Sequence, residues 1–274
     1  MTKSPLTFFR QLLAVLMLMA ATTPNAKAHT AFRAGEVLQY SLYYNWKFIW
    51  MKAGSATMTI TGATYNGVPS LRTRLIMRGS KKADNYFVLR DTLQSHVQAD
   101  NLRPLHYAKY DIEGSSRRKR EVWYSYPDNR CRALQRYTHK DGRVSVKDET
   151  KSLQIHDMLS IMLRARTYNT SDWKPGKRII FSMTDGNGVK PQTLIYRGKQ
   201  KIKIRGHEES YQCLKLSFVE TNGKGHEKEV ITFFVTDDAN HIPVRLDMFL
   251  KFGSAKAYLT GFRGLANPMG YKGK

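Results

Sequence analysis

Leu71-Arg72-Thr73-Arg74-Leu75-Ile76-Met77-Arg78 alternates between two characters. Leu71, Thr73, Leu75 and Met77 share one side, while Arg72, Arg74 and Arg78 share the other, the period of two that a half-buried β-strand presents. The same period runs upstream, where Leu38, Tyr40, Leu42 and Tyr44 oppose Gln39 and Ser41. Thr57, Thr59 and Thr61 alternate with Met58 and Ile60, and Gly62 is expected to close that strand. Downstream, the pattern predicts strands over 91–98, 104–112, 118–126, 131–138, 143–150, 177–184, 190–205, 210–221, 228–236, 242–252 and 255–262. Short turns separate many of them, among them Asn66-Gly67, Asp141-Gly142, Asp185-Gly186-Asn187-Gly188 and Asn222-Gly223. Strands joined by such turns are antiparallel neighbours, because parallel pairing needs long crossovers.

One segment departs from this rule. Between Leu153 and Arg166, apolar Ile155, Met158, Leu159, Met162 and Leu163 recur at helical spacing, with Ile161 widening the stripe. Ser152 is the expected cap, and Arg164 and Arg166 suit the negative end of the helix dipole. A shorter helix is predicted near Lys81 to Leu89. The fold class expected is mainly β: a large curved antiparallel sheet, an open or partly closed barrel, packed around one principal α-helix.

The chain has 274 residues, 45 Lys plus Arg against 22 Asp plus Glu, and a net charge of +23. Lys3 and Arg10 precede an apolar run from Leu12 to Ala21, and Ala26-Lys27-Ala28 follows as a small-residue cleavage pattern. Residues 1–28 therefore read as a signal peptide and 29–274 as one β-rich domain. The apolar run is shorter than the roughly 20 residues that span a bilayer, so no transmembrane segment is expected in the mature chain. The expected location is periplasmic, and removing Lys3, Arg10 and Lys27 leaves 42 − 22 = +20.

The motifs for chemistry are sparse. Cys131 and Cys213 are the only thiols, and they either pair, as an exported protein permits, or stay as two small buried hydrophobes. The eight histidines show no metal-ligand spacing, there is no G-x-S-x-G elbow, and no glycine-rich phosphate loop is present. No catalytic, metal or cofactor residue is assigned, and the protein is not expected to be an enzyme. His156, Asp157 and Ser160 form the candidate pocket, should one open between helix and sheet; otherwise Asp157 favours the helix start and Ser160 bonds locally. Charge is the stronger signal. Lys199, Lys201, Lys203 and Arg205 alternate on one strand face, with Ile202 and Ile204 turned inward, and Arg72, Arg74 and Arg78 make a second face. Arg117-Arg118-Lys119-Arg120 is a third cluster. These rows are candidate anion-binding faces; the signal peptide argues against nucleic acid and for lipid, lipopolysaccharide or another anionic envelope polymer.

Three stretches together resemble a family of exported bacterial proteins catalogued as domain of unknown function 3108. They are Gly35-Glu36-x-Leu38-x-Tyr40 followed by Ala53-Gly54, then His156-Asp157-Met158-Leu159-Ser160, then Asp238-Ala239-Asn240-His241-Ile242-Pro243-Val244-Arg245. His241 departs from the basic residue expected before Ile-Pro-Val. The resemblance implies a β-rich periplasmic domain and transfers no catalytic residue. Two function classes lead: a non-catalytic binder of an amphiphilic or anionic envelope component, and a structural or assembly partner of other envelope proteins. An enzyme acting on envelope glycan or lipid ranks below both.

Overall fold

The computed structural model describes residues 31–270 apart from 47–48, 85–87, 114–115, 205–209, 222–225 and 251–252. The expected signal peptide and Arg205 lie outside the described residues.

Alternation becomes pairing along nearly the whole chain. The first arm is β1 (Val37–Trp46), β2 (Ile49–Tyr65), β3 (Val68–Gly79), β4 (Leu89–Gln98), β5 (Pro104–Glu113), β6 (Ser116–Ser125), β7 (Cys131–Thr138) and β8 (Val144–Lys151). The second arm is β9 (Ile155–His156), β10 (Arg178–Thr184), β11 (Val189–Lys203), β12 (Ser210–Thr221), β13 (Glu227–Thr236), β14 (Pro243–Phe249) and β15 (Ser254–Arg263). All fifteen belong to one sheet, ordered β8 through β1, then β15 back through β9. Pairing of β1 with β15 joins the arms, and among the described residues the β9–β10 pair alone is parallel. β2 continues through Gly62, which pairs with Leu71, and turns at Asn66 and Gly67, both at positive φ (48° and 80°). The period holds across Gly62, so the glycine does not end the strand as expected.

The sheet comes close to closing on itself. Only Ser152, Leu153 and Gln154 separate β8 from β9, so the two outer strands of the order are neighbours in sequence. Side chains bridge the seam where no backbone ladder does. Gln135 Oε1 accepts from Gly188 N (2.7 Å) and Thr184 Oγ1 (2.5 Å), Glu149 Oε2 from Val189 N (2.8 Å), and Lys147 Nζ donates to Asn187 O (3.2 Å). Such bonds occupy groups that an open sheet edge would offer to another chain.

The nine-residue helix Met158–Arg166 plugs the sheet. Leu159 packs with Leu93, Tyr107 and Val122, Leu163 with Ile60 and Leu71, and Ile161 with Phe181 and Leu194. Three successive directions of one helix thus reach three parts of the core. The helix starts later than expected. Ile155 and His156 are taken by the short parallel strand, and Asp157, not Ser152, is the cap, with extended φ −95° and ψ 175°. Met158 is 45% exposed, so it does not belong to the apolar stripe. The shorter helix is a single turn, Lys81–Asp84, started by Ser80 Oγ accepting from Ala83 N (3.1 Å).

Candidate functional site

The polar side chains inside this fold are bound to one another. Asp157, fully buried, accepts from Leu159 N and Ser160 N at Oδ1 (2.9 Å each) and from Ser95 Oγ at Oδ2 (3.0 Å). Ser160 Oγ accepts from Asp157 N (2.9 Å) and donates to Asp157 O (3.1 Å), which completes a reciprocal capping box. Burial raises the Asp157 pKa, against the opposing pull of these hydrogen bonds. Two of the three candidate pocket residues therefore build the helix start. His156 differs: it is 7% exposed, and its Nδ1 has no hydrogen-bond partner. Burial, with Arg164 nearby, lowers its pKa to about 4, so it is neutral at pH 7. His156 lines a cavity of about 260 Å³ with Arg103, Tyr126, Cys131, Gln154 and Arg164.

The other end of the helix holds a larger constellation. Arg166 grips Glu36 with two bonds, Nη1 to Oε1 (2.6 Å) and Nη2 to Oε2 (2.9 Å), both side chains being buried. Its Nε donates to Asn240 O and its Nη2 to Ala31 O (2.9 Å each), and the guanidinium lies 5.1 Å from the Phe32 ring centre. His241, at φ 46°, points Nδ1 at Arg166 O (2.8 Å). Asp238 binds the N–H groups of Asn240 and Gly270 and the Thr236 hydroxyl. Arg166 thus ties the helix, the first strand and the late turn together. It does not serve the helix dipole as expected, because its charge meets Glu36 inside the protein.

A third network went unseen in the sequence. Asp91 and Asp111 sit opposite each other on β4 and β5, both buried, with Lys109 Nζ between them at 3.7 and 3.6 Å. Arg118 Nε closes on Asp111 at 2.6 Å. Cations already occupy these facing carboxylates, unlike a free acid–base pair. The signal lay in the register: Arg118 is the direct cross-strand neighbour of Asp111.

Three of the four cations in the basic cluster 117–120 are therefore already paired, and Arg117 is exposed. Arg118 is bound to Asp111, Lys119 to Glu121 (2.8 Å) and Arg120 to Asp185 (3.1 Å). Lys199 also has a partner, Asp237, at 2.6 Å. Lys201, Lys203, Arg72, Arg74 and Arg78 are exposed, and among the described residues no carboxylate lies within ion-pair distance of them. Ile202 and Ile204 are buried between them, as the alternation requires. The two thiols stay apart. Cys131 and Cys213 are free and buried in different clusters, so the pairing reading gives way to that of two small hydrophobes. Burial, with Asp238 and Asp237 beside it, pushes the Cys213 thiol up to about 12. Among the described residues no group of three or more His, Cys, Asp or Glu is arranged to hold a metal ion, and no helix is long and apolar enough to cross a membrane.

A single sheet, antiparallel but for its β9–β10 pair, nearly closed and plugged by one helix, defines a β-barrel-like protein. The family described as protein of unknown function (DUF3108) matches residues 39–260, and the chain belongs to it. No curated protein matches the sequence. The chain is similar in fold to the crystal structure of a β-barrel-like protein of domain of unknown function DUF1849 from Brucella abortus. That likeness has a TM-score of 0.57 at 11% identity and covers 85% of this chain and 99% of the other.

Proposed function

We propose that this is an exported, non-catalytic envelope protein that holds an anionic envelope component on its outer basic faces. One observation carries the reading: Arg72, Arg74, Arg78, Lys201 and Lys203 stand exposed without an acidic partner among the described residues, while Arg118, Lys119 and Arg120 each already hold a carboxylate. Neighbours two apart on a strand are roughly 6.5–7 Å apart, a spacing suited to a polyanion or to crowded phosphate headgroups. The helix fills the concave side with Leu159, Ile161 and Leu163, and this favours the outer faces over a lipid bound inside the curve.

Co-sedimentation with vesicles of anionic lipid, beside zwitterionic controls, tests the reading. Binding to the anionic vesicles that weakens as salt shortens the screening length to about 8–10 Å is expected. Equal binding to both vesicle types, or none to either at low salt, refutes it. A rival reading, an assembly partner, draws on the exposed Val144 and Val146 of β8 (47% and 62%). It predicts association that persists at high salt, read by sedimentation velocity.

A further inference from the structure

We propose that the cavity lined by His156, Arg103 and Arg164 binds a phosphate group. Three elements converge on it: the turn carrying Leu102 and Arg103, the turn carrying Asn129, and the segment from Ser152 through the helix to Arg164. At about 260 Å³ it lies just under the roughly 300–1,000 Å³ of drug-sized sites, so its occupant is small.

The lining has cations and no anion. None of the residues around the cavity is acidic. The guanidinium of Arg164 has no hydrogen-bond or ion-pair partner among the described residues, and that of Arg103 lies 5.2 Å from the Tyr126 ring centre. The remaining polar groups are largely committed to one another. Gln154 Nε2 donates to Tyr126 Oη (3.1 Å), Cys131 Sγ (3.3 Å) and Ile155 O (2.9 Å), while Tyr126 Oη donates to Pro104 O (2.7 Å). The unspent groups include two guanidiniums, the side chains of Ser152 and Asn129, and the buried, unpartnered Nδ1 of His156. An unsatisfied polar atom at this depth calls for an explanation, and a bound acceptor supplies one. Guanidinium and imidazole donors arriving from different elements match the several oxygens of a phosphate, to which arginine bonds in fork geometry. Burial keeps His156 neutral, so it contributes one N–H donor beside the two guanidiniums and adds no third charge. Both turns carry non-glycine residues at positive φ, Leu102 at 60° and Asn129 at 58°, a region such residues seldom occupy.

Isothermal titration of the whole protein with inorganic phosphate, in phosphate-free buffer, tests the assignment. Saturable one-site binding is expected, weakened at least tenfold by Arg164→Gln and by Arg103→Gln. Both side chains are exposed, so the variants should melt like the parent. Lys201→Gln/Lys203→Gln should leave this site intact, which separates it from the outer basic faces. A water-soluble short-chain phosphatidate that competes with phosphate would assign the site to a lipid headgroup, and failure to compete would assign it to free phosphate. No saturable binding of phosphate, or binding that both arginine variants leave unchanged, overturns the proposal.

Discussion

Arg118 to Arg120 on β6 and Lys201 and Lys203 on β11 look alike as strings of cations, yet the sheet treats them in opposite ways. Arg118 faces Asp111 across the ladder. Lys201 faces Gln212, and Lys203 faces Ser210. On β3, Arg74 lies between Thr59 and Gln94, and Arg78 between Ser55 and Arg90. Register thus supplies the partner of Arg118, while Lys119 and Arg120 take theirs from Glu121 on the same strand and from Asp185 in the turn after β10, and Lys201 and Lys203 meet neutral neighbours. An opposite charge directly across a ladder contributes roughly 0.2–1 kcal/mol, and one facing a buried carboxylate contributes more, because it prevents an uncompensated charge.

Arg166 is the limiting case of an inward cation, and replacing it should produce the largest effect. Arg166→Met leaves Glu36 buried and unpaired and is expected to cost about 3–5 kcal/mol in urea unfolding. Adding Glu36→Leu should recover a large part of that loss, since the apolar pair removes the stranded charge. A single variant that unfolds like the parent would mean that the pair does not hold the helix to the first strand.

His156 brings in the acid side. Its folded pKa of about 4 lies below the ordinary 6.5, so between these values the unfolded chain binds a proton that the folded one refuses. Stability should fall as pH drops from about 6.5 to 4, by up to about 3 kcal/mol from this residue. His96, also lowered to about 4, adds a parallel slope. In His156→Asn the fall should be about one proton shallower, as read from unfolding free energy against pH. An unchanged slope would show that His156 is not held neutral. Third in size comes Arg118→Gln, expected to cost about 1–3 kcal/mol because Asp111 keeps only the longer contact to Lys109.

How much of this could be read from the residues depends on range. The strands were legible because side-chain alternation is local, and the bounds of β7 and β12 agree with the pattern. The helix was legible as a break in that period, but its start was not. Ile155 and His156 fit either element, and only the parallel pairing with β10 decides between them. The partners were hidden because register is a long-range property. Glu36 and Arg166 are 130 residues apart, and nothing near either announces the other. The stretches that carried the family resemblance turn out to hold the interior together: Glu36 and Asn240 meet at Arg166, and Asp157 caps the helix with Ser160. His156 is the residue of those stretches whose ring nitrogen remains unsatisfied, and the proposed phosphate site starts from it.

The smallest expected change in stability belongs to the outward cations, where the two strands can be compared directly. Lys201→Gln/Lys203→Gln removes two exposed charges that face neutral neighbours, so unfolding free energy should move by less than about 0.5 kcal/mol. Lys199 is left in place because it holds Asp237, and its loss would mix a fold effect with a surface effect. Arg118→Gln/Arg120→Gln removes the same formal charge from residues that already hold Asp111, which is buried, and Asp185, so it should lower stability measurably while changing anionic-vesicle binding little. If the β11 row grips an anionic surface, its variant should bind more weakly and with a shallower dependence on salt, while melting like the parent. Equal losses of binding from the two variants would show that net charge alone matters. Loss from the β6 variant only would reverse the comparison, and the cations bound within the sheet would then be the ones that meet the partner.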